Sequence, residues 1–405
     1  MSSRKISLLF VIIAVVFFFA RCFQEPQIND PRGQAYAGSE KCGSCHKTIS
    51  NSYEHTAHYL STTIASEATV EGRFSKDSNE LYINDSTRIM MEKRDSGLYQ
   101  VLYNKNKEII SRRFDLVMGS VKGQTYLSWH GNGLFQLPVS YITALNRWSS
   151  SPGYALADLH FDRSITKDCF ECHSSFANRD DRGLLDFRLD QSGWVFNIDC
   201  ERCHGPASAH VRFHEDHPDE KKPAFMVSFK TLSRQQKIDL CAVCHSGNNN
   251  ILLKSRFAFK MGDSLKSYMI PISSTNQLDV HGNQTQLLSQ SKCYRMSDLV
   301  CSSCHDTHVN DRGNENIYNE HCQQCHSSEN HFCKIANDSN LFFIKNNCTK
   351  CHMPAQASTS IRVQAAINST RSIPTLVVNH RIAIYPEESA SIMASFINHK
   401  KNSIK

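Results

Sequence analysis

The sequence predicts a mainly α chain with sparse secondary structure, interrupted by a β-rich insertion near its N-terminal motif. Three observations support this fold class. The pattern Cys-x-x-Cys-His occurs seven times, whereas random placement of 17 cysteines and 20 histidines in 405 residues gives about 0.03 occurrences. Short helical stretches such as SRQQKIDLCAVCH, residues 233–245, run into these motifs. Apolar and polar residues alternate in the long stretch between the first two motifs.

The N-terminus carries the features of an exported protein. Arg4 and Lys5 precede an apolar run, residues 6–20, which predicts a secretory signal or an uncleaved membrane anchor over residues 1–22. Cys22 follows the run and is interpreted either as the lipidated first residue of a lipoprotein or as an ordinary signal residue. We therefore predict a periplasmic or membrane-anchored protein.

The rest of the chain divides by its sequence patterns. A first motif segment covers residues 36–66, and the predicted β-rich insertion follows at 67–150. Apolar and polar residues alternate there, with breaks at Asn, Asp and Gly, in LYINDSTRIMMEKRDSGLYQVLYNKNKEIISRRFDLVMGS. Motifs two to four lie in residues 155–260, and motifs five to seven lie in residues 278–385. A polar tail is predicted at 386–405. The insertion is expected to cover or space the first motif.

Each motif has the spacing that covalent attachment of haem c requires. Two thiols three positions apart can each add to a vinyl group of one haem, and the adjacent histidine then ligates the iron as proximal ligand. Zinc ribbons also use Cys-x-x-Cys pairs but do not require a histidine after every second cysteine. A disulfide framework leaves those histidines unexplained. We therefore predict seven covalently attached haem c groups and a multihaem cytochrome c.

The seven motifs account for fourteen of the cysteines. The predicted attachment cysteines are Cys42, Cys45, Cys169, Cys172, Cys200, Cys203, Cys241, Cys244, Cys301, Cys304, Cys322, Cys325, Cys348 and Cys351. The predicted proximal iron ligands are His46, His173, His204, His245, His305, His326 and His352. Besides Cys22, two cysteines are left over, Cys293 and Cys333, which are either a disulfide or free thiols.

Thirteen histidines lie outside the motifs, and some can fill the sixth position of an iron. A second histidine gives a low-spin iron suited to electron transfer, whereas an empty position lets the iron bind a substrate. The candidate distal ligands are His55, His58, His160, His210, His281, His308 and His380. For each of them the alternative is a surface or hydrogen-bonded core histidine. The others are predicted not to be ligands: His130, His214, His217, His321, His331 and His399.

The basic charge balance gives no support to nucleic-acid binding. The formal net charge is +6, but fourteen ionised haem propionates would change it to about −8. The lysines and arginines are better interpreted as partners of propionates and as solvated surface.

The stretches CERCHGPASAH, CSSCHDTH and NHRIAIYP resemble the cytochrome c-554 family, also called the cytochrome c-552/4 domain, of exported bacterial multihaem electron carriers. GSEKCGSCHKTISNSYEHTAH and LFQLPVSYITALNRWSSSPGY followed by CFECHSS are similar to longer members, so the resemblance covers most of residues 38–385. It implies histidine as the usual sixth ligand, closely stacked haem pairs and electron transfer, and it places His210, His308 and His380 at distal positions. Smaller members carry four haems, so partners and haem order do not transfer.

Two functions are open at this point. The favoured one is an electron conduit that accepts electrons from a quinol-linked or periplasmic redox donor and passes them to a terminal reductase or extracellular acceptor. The alternative is a multihaem oxidoreductase whose one five-coordinate haem acts on a small nitrogen or sulfur compound. No Cys-x-x-Cys-Lys motif occurs, which removes the usual mark of related nitrite reductases. No residue is predicted to be a catalytic acid or base.

Overall fold

The computed structural model describes residues 30–158, 160–181, 187–247, 250–272, 278–326, 346–365 and 372–402. The predicted signal or anchor lies outside these ranges, as do Cys22, His331 and Cys333. No helix within the ranges is long and apolar enough to cross a membrane.

The helices of the described ranges are mostly short, and several of them end at a motif histidine. They are α1 Ser39–Cys45, α2 Lys47–Tyr53, α3 Lys167–His173, α4 Cys200–His204, α5 Ser208–Asp216, α6 Arg234–His245, α7 Gln284–Ser289, α8 Lys292–Arg295, α9 Glu315–Gln323, α10 Cys348–His352 and α11 Pro386–Asn402. Single 3₁₀ turns occur at Thr143–Leu145, Leu156–Asp158, Phe229–Thr231, Arg256–Ala258, Leu265–Ser267 and Cys301–Ser303. A capping box of Ser233 and Gln236 starts α6.

The strands pair only in antiparallel fashion where the structure describes them. They are β1 Thr62–Ile64, β2 Glu80–Tyr82, β3 Thr87–Arg94, β4 Gly97–Asn104, β5 Lys107–Arg113, β6 Leu116–Met118, β7 Thr125–His130, β8 Gly133–Gln136, β9 Val139–Ile142, β10 Arg147–Ser150, β11 Arg163–Ser164, β12 Phe176–Asp181, β13 Phe187–Val195, β14 Asn250–Leu252, β15 Met269–Pro271, β16 Ala355–Val363 and β17 Ile373–Val378. Strands β9 and β10, β14 and β15, and β16 and β17 form separate two-stranded sheets.

The predicted mainly α fold class is wrong. Helix makes up 31% of the structure and strand 25%, so the fold is mixed and rich in antiparallel sheet. The physical reason is that a motif needs little helix: the third one is complete in the five residues of α4. The chain between motifs pairs into sheets instead, at β12 and β13 and in the hairpins β14–β15 and β16–β17.

The four-stranded sheet has the order β2-β3-β4-β5. Side chains alternate across it, and Ile89 and Met91 on its inner face are fully buried. Buried Gln100 donates to the carbonyl of Val139 on β9 and accepts from the N–H of the same residue. This sheet is therefore joined to the neighbouring one through a satisfied buried amide.

The larger sheet has the order β1-β6-β7-β8-β13-β12, with β11 also paired to β8. Phe170, inside the second motif, packs edge-on against Trp194 of β13, with ring centres 4.7 Å apart. The hydroxyls of Ser61 and Thr62, at the start of β1, both donate to the carbonyl of His173. The sheet therefore holds α3 in place through the buried ring of Phe170 and through the carbonyl of His173.

The β16–β17 hairpin connects distant parts of the chain. The N–H of Ser150 on β10 donates to the carbonyl of Gln364, which follows β16, at 2.8 Å. The N–H of Ser360 donates to the Asp279 carboxylate at 2.7 Å. Because Asp279 precedes His281 by two residues, the hairpin also holds the turn that carries a predicted distal ligand.

Candidate functional site

The motif helices present their cysteines and histidine from one short turn. In α4, the side chain of Asp199 accepts from the N–H of Arg202 at 2.8 Å and so caps the helix. Gly205 ends it with φ +79°, a backbone angle that favours glycine. Residues at i and i+3 lie on the same helix face, so Cys200 and Cys203 both face the side from which one haem would be held. The cysteines of the described ranges form no disulfide.

Three predicted proximal histidines face a histidine from elsewhere in the chain. The ring-centre distances and interplanar angles are 5.9 Å and 24° for His204 with His308, 6.3 Å and 28° for His305 with His380, and 6.1 Å and 82° for His245 with His58. All three second members are candidate distal ligands.

These spacings match those of two imidazoles on opposite sides of one iron. An imidazole nitrogen binds a metal at about 2 Å and the ring centre lies roughly 1 Å further, so the two ring centres are about 6 Å apart. Both ring planes contain the line through the metal, so the angle between them can take any value. The residues present therefore fit a bis-histidine haem at each of the three pairs.

A fourth proximal histidine also has a candidate distal ligand close by. His173 interacts electrostatically with His281. The Nδ1 atom of His173 is buried without a hydrogen-bond partner. A buried polar atom without a partner is costly, so this ring lies where the protein alone does not satisfy it.

Besides the exposed His55, hydrogen bonds orient three of the imidazoles that are predicted to be ligands. A carbonyl oxygen can only accept, so each Nδ1 that contacts one carries the proton and leaves the Nε2 lone pair free for a metal. The contacts are His210 to Ala224 at 2.9 Å, His352 to Ala383 at 2.9 Å and His380 to Val378 at 3.2 Å.

Burial favours the neutral form of five of these imidazoles. It lowers the pKa of His58, His173 and His380 to about 4, with repulsion from neighbouring histidines acting in the same direction. Burial also lowers the pKa of His204 and His305. A neutral ring has the lone pair that a metal bond needs.

The remaining candidate ligands do not belong to these pairs. His55 is exposed, and its Nδ1 contacts the carbonyl of Asn51. His160 is exposed and contacts the Asp162 carboxylate at 2.5 Å. His210 stands beside another histidine of α5, with ring centres 4.6 Å apart, which is too close for opposite faces of one iron. Their assignment as distal ligands stays a prediction.

Cysteines of different motifs also contact one another. Four pairs of cysteines that lie close together join the first motif to the third, the second to the fourth, the fourth to the fifth and the sixth to the seventh: Cys42–Cys200, Cys172–Cys244, Cys241–Cys301 and Cys322–Cys348. Cys203 interacts electrostatically with Cys244, and Cys304 with Cys325. The motifs therefore form a continuous series in space, in an order that differs from the sequence.

Sequence analysis did not single out the charged residues inside the motifs. The side chains of Glu171 and Glu201 are each 1% exposed and lie opposite buried arginines, Arg256 at 3.6 Å and Arg32 at 3.3 Å. The carboxylates in the variable positions of CFECH and CERCH were the signal that could have predicted these ion pairs. A motif that is packed on several sides has little exposed surface, so a charge inside it needs a buried partner.

No three His, Cys, Asp or Glu side chains in the described part of the chain form a group able to hold a lone metal ion.

Comparisons with known proteins were made on sequence and on fold. Residues 144–205, which contain the second and third motifs, match the family described as cytochrome c554 and c-prime. The fold is similar to the crystal structure of the outer cell wall cytochrome OcwA, with a TM-score of 0.54 and 15% identity over 88% of this chain and 82% of that chain. The curated proteins include no match. Together with the seven Cys-x-x-Cys-His motifs, these likenesses support a multihaem c-type cytochrome that resembles the cytochrome c554 family.

Proposed function

We propose that the protein is an exported heptahaem cytochrome that carries electrons from a periplasmic or membrane redox donor, such as a quinol-linked protein, to a terminal acceptor. The observation that carries this proposal is the set of imidazole pairs at 5.9, 6.1 and 6.3 Å. Each joins a motif histidine to a histidine outside the motifs.

Paired histidines favour electron transfer over substrate chemistry. Haem supplies one-electron redox chemistry, and an iron with two imidazole ligands has no open position for a substrate. Electrons then enter and leave by way of another redox molecule, which supports a redox protein or quinol-linked donor as partner. In this proposal His58, His281, His308 and His380 are distal ligands, and the fourteen motif cysteines hold seven haems.

The contacts between motifs support a relay within the chain. Because neighbouring cysteines link all seven motifs, each haem would lie beside at least one other. The fourth motif contacts the second, third and fifth, so it is a junction in the series.

Export is supported by the chain's own N-terminus. The apolar run of residues 6–20 after Arg4 and Lys5 has the composition of a secretory signal or anchor. Cys22 is the residue that would carry lipid if the signal is of the lipoprotein type. OcwA, which shares the fold, is an outer cell wall cytochrome.

Electron paramagnetic resonance (EPR) of the oxidised protein tests the proposal. The full chain is produced with the haem-attachment machinery, and its haem content is counted by pyridine haemochrome assay. We expect seven haems, with low-spin iron at the four whose motif histidine has a partner histidine. A stoichiometric high-spin signal that shifts with nitrite, hydroxylamine or sulfite would favour the oxidoreductase alternative, and a lower haem count would contradict the number of sites.

Matched variants localise the result. His308→Ala should convert one haem to high spin, because its ring faces that of His204. His217→Ala is the control, since His217 is exposed, follows the end of α5 and stacks on Phe213 of that helix. Its spectrum should match that of the unmodified protein.

A further inference from the structure

A buried charge cluster joins the start of the described chain to the third motif. The Arg32 guanidinium contacts Asp30 at 2.8 Å, Asp199 at 2.6 Å and Glu201 at 3.3 Å. The four side chains are between 1% and 8% exposed. The planar fork of arginine can bind two carboxylates at once, which a single ammonium group cannot do with the same geometry.

Glu201 extends this cluster to the backbone of residues 30–38, which we call the strap. Its carboxylate accepts from the N–H of Ala37 at 2.9 Å and of Gly38 at 2.8 Å. The N–H of Ser208 donates back to the carbonyl of Ala35 at 3.0 Å. The strap is therefore fixed on the third motif by side-chain and backbone bonds together.

The strap leads directly into α1, the helix of the first motif. That helix packs against α4, the helix of the third motif, and its Cys42 lies close to Cys200. His46 and His204, the two predicted proximal ligands, interact electrostatically. The first motif thus stands beside the third, although the second one lies between them in sequence.

Arg32 itself contacts no motif cysteine or histidine in its ion pairs and hydrogen bonds. Its removal would leave the carboxylates of Asp199 and Glu201 buried without their common cation, which costs free energy. The strap can lower this cost by moving away from the third motif, because water then reaches the carboxylates. Such a movement would shift α1, with Cys42, Cys45 and the haem that they would hold, relative to the third motif, but it removes no haem ligand.

We infer that Arg32 is a positioning residue, which fixes the first motif beside the third and so sets the coupling between the haems of these two motifs. The inference rests on the proposed function, because it requires a haem at each motif. It adds a residue that acts on the relay without touching a haem ligand.

The test compares the haem-loaded full chain with Arg32→Gln and Arg32→Lys. Arg94→Gln is the control, because Arg94 also binds two carboxylates, at 2.8 and 2.9 Å, but lies on the four-stranded sheet. Haem content is measured together with the EPR spectrum and its power saturation, which reports the magnetic coupling between neighbouring irons.

We expect Arg32→Gln to keep the haem count and the spin states of the unmodified protein, while one iron per chain loses its magnetic coupling. Arg32→Lys keeps the charge but not the planar fork, so a smaller loss of coupling is expected. If Arg32→Gln does not fold, the inference is tested by the magnetic coupling in Arg32→Lys alone. Arg94→Gln should keep the coupling of the unmodified protein.

Unchanged coupling in the Arg32 variants that fold would overturn the inference and leave the proposed function intact. So would an equal gain of uncoupled iron in Arg94→Gln. If the unmodified protein has no coupled low-spin irons, the proposed function fails, and the inference fails with it.

Discussion

The imidazole ring of His58 lies 6.1 Å from that of His245, centre to centre, with the two planes at 82°. His58 belongs to the N-terminal segment, whereas His245 is the last residue of α6 and of the fourth motif. The carbonyl of His58 also accepts from the N–H of Ile198, at 3.0 Å, next to the third motif. The first segment of the chain is thus built into the centre of the motif series.

Replacing His58 tests this long-range pairing. In His58→Ala we expect the haem count to stay the same and one iron to become high spin, because the motif cysteines are intact while one axial ligand is lost. EPR and pyridine haemochrome assays on the same sample measure both quantities.

His55→Ala is the matched control for His58→Ala. His55 lies three residues earlier and is exposed, with its Nδ1 on the carbonyl of Asn51. Its spectrum should equal that of the unmodified protein. High-spin iron in His55→Ala but not in His58→Ala would show that His55 is the ligand, and this would contradict the pairing of His58 with His245.

Local spacing was enough to predict part of this site, but not all of it. The Cys-x-x-Cys-His motifs are complete in five residues, so their chemistry can be read directly from the sequence. The choice of His58 over His55, and of His245 as its partner, depends on sheet pairing that brings distant segments together. No pattern within the first segment carries that information, because both histidines have similar neighbours in YEHTAH.

The fold class was wrong for a related reason. FRLDQSGWV and IPTLVV become β13 and β17, yet each pairs with a strand that is not identifiable from its own pattern. Strand formation depends on burial against a partner more than on intrinsic preference. Short motif helices gave a clear local signal, and the sheets around them did not.

The number of haems can be checked by removing attachment cysteines. Replacing Cys301 and Cys304 together by alanine should reduce the haem count by one, because both thioether bonds of the fifth motif are lost. Cys293→Ala is the control, since Cys293 is a free thiol that interacts electrostatically with Cys304 but belongs to no motif. Mass spectrometry of the intact chain measures the difference. Loss of haem from Cys293→Ala would contradict the assignment of the motif.

Phe170 links the second motif to the large sheet, and its loss should destabilise the protein. The side chain is 1% exposed and packs against Trp194. Truncation of a buried phenylalanine costs about 3–5 kcal/mol. Guanidinium unfolding of Phe170→Ala, followed by tryptophan fluorescence, should show a decrease of this size. Phe225→Ala is the control, because that ring is 66% exposed and its loss should change the free energy of unfolding by less than about 0.5 kcal/mol.

The Asp279 carboxylate gives the turn before His281 a predictable pH dependence. Burial raises the pKa of Asp279, but hydrogen bonds from Ser360, Ser358 and the N–H of His281 outweigh it and hold the pKa at about 2. A carboxyl group whose pKa is lower in the folded than in the unfolded chain stabilises the fold above its ordinary pKa and loses that effect as the pH falls towards the folded value. The stabilisation is therefore complete above about pH 5 and decreases below it.

Asp279→Asn removes the charge and isolates this contribution. We expect the variant to melt at a lower temperature than the unmodified protein at pH 6, because an amide accepts the same hydrogen bonds more weakly than a carboxylate. The difference should shrink between pH 5 and pH 3, where the unfolded chain binds a proton at Asp279 more readily than the folded one. Asp162→Asn provides the comparison, since Asp162 is exposed. A melting difference for Asp279→Asn that stays constant over this range would show that its carboxylate is not what holds the turn.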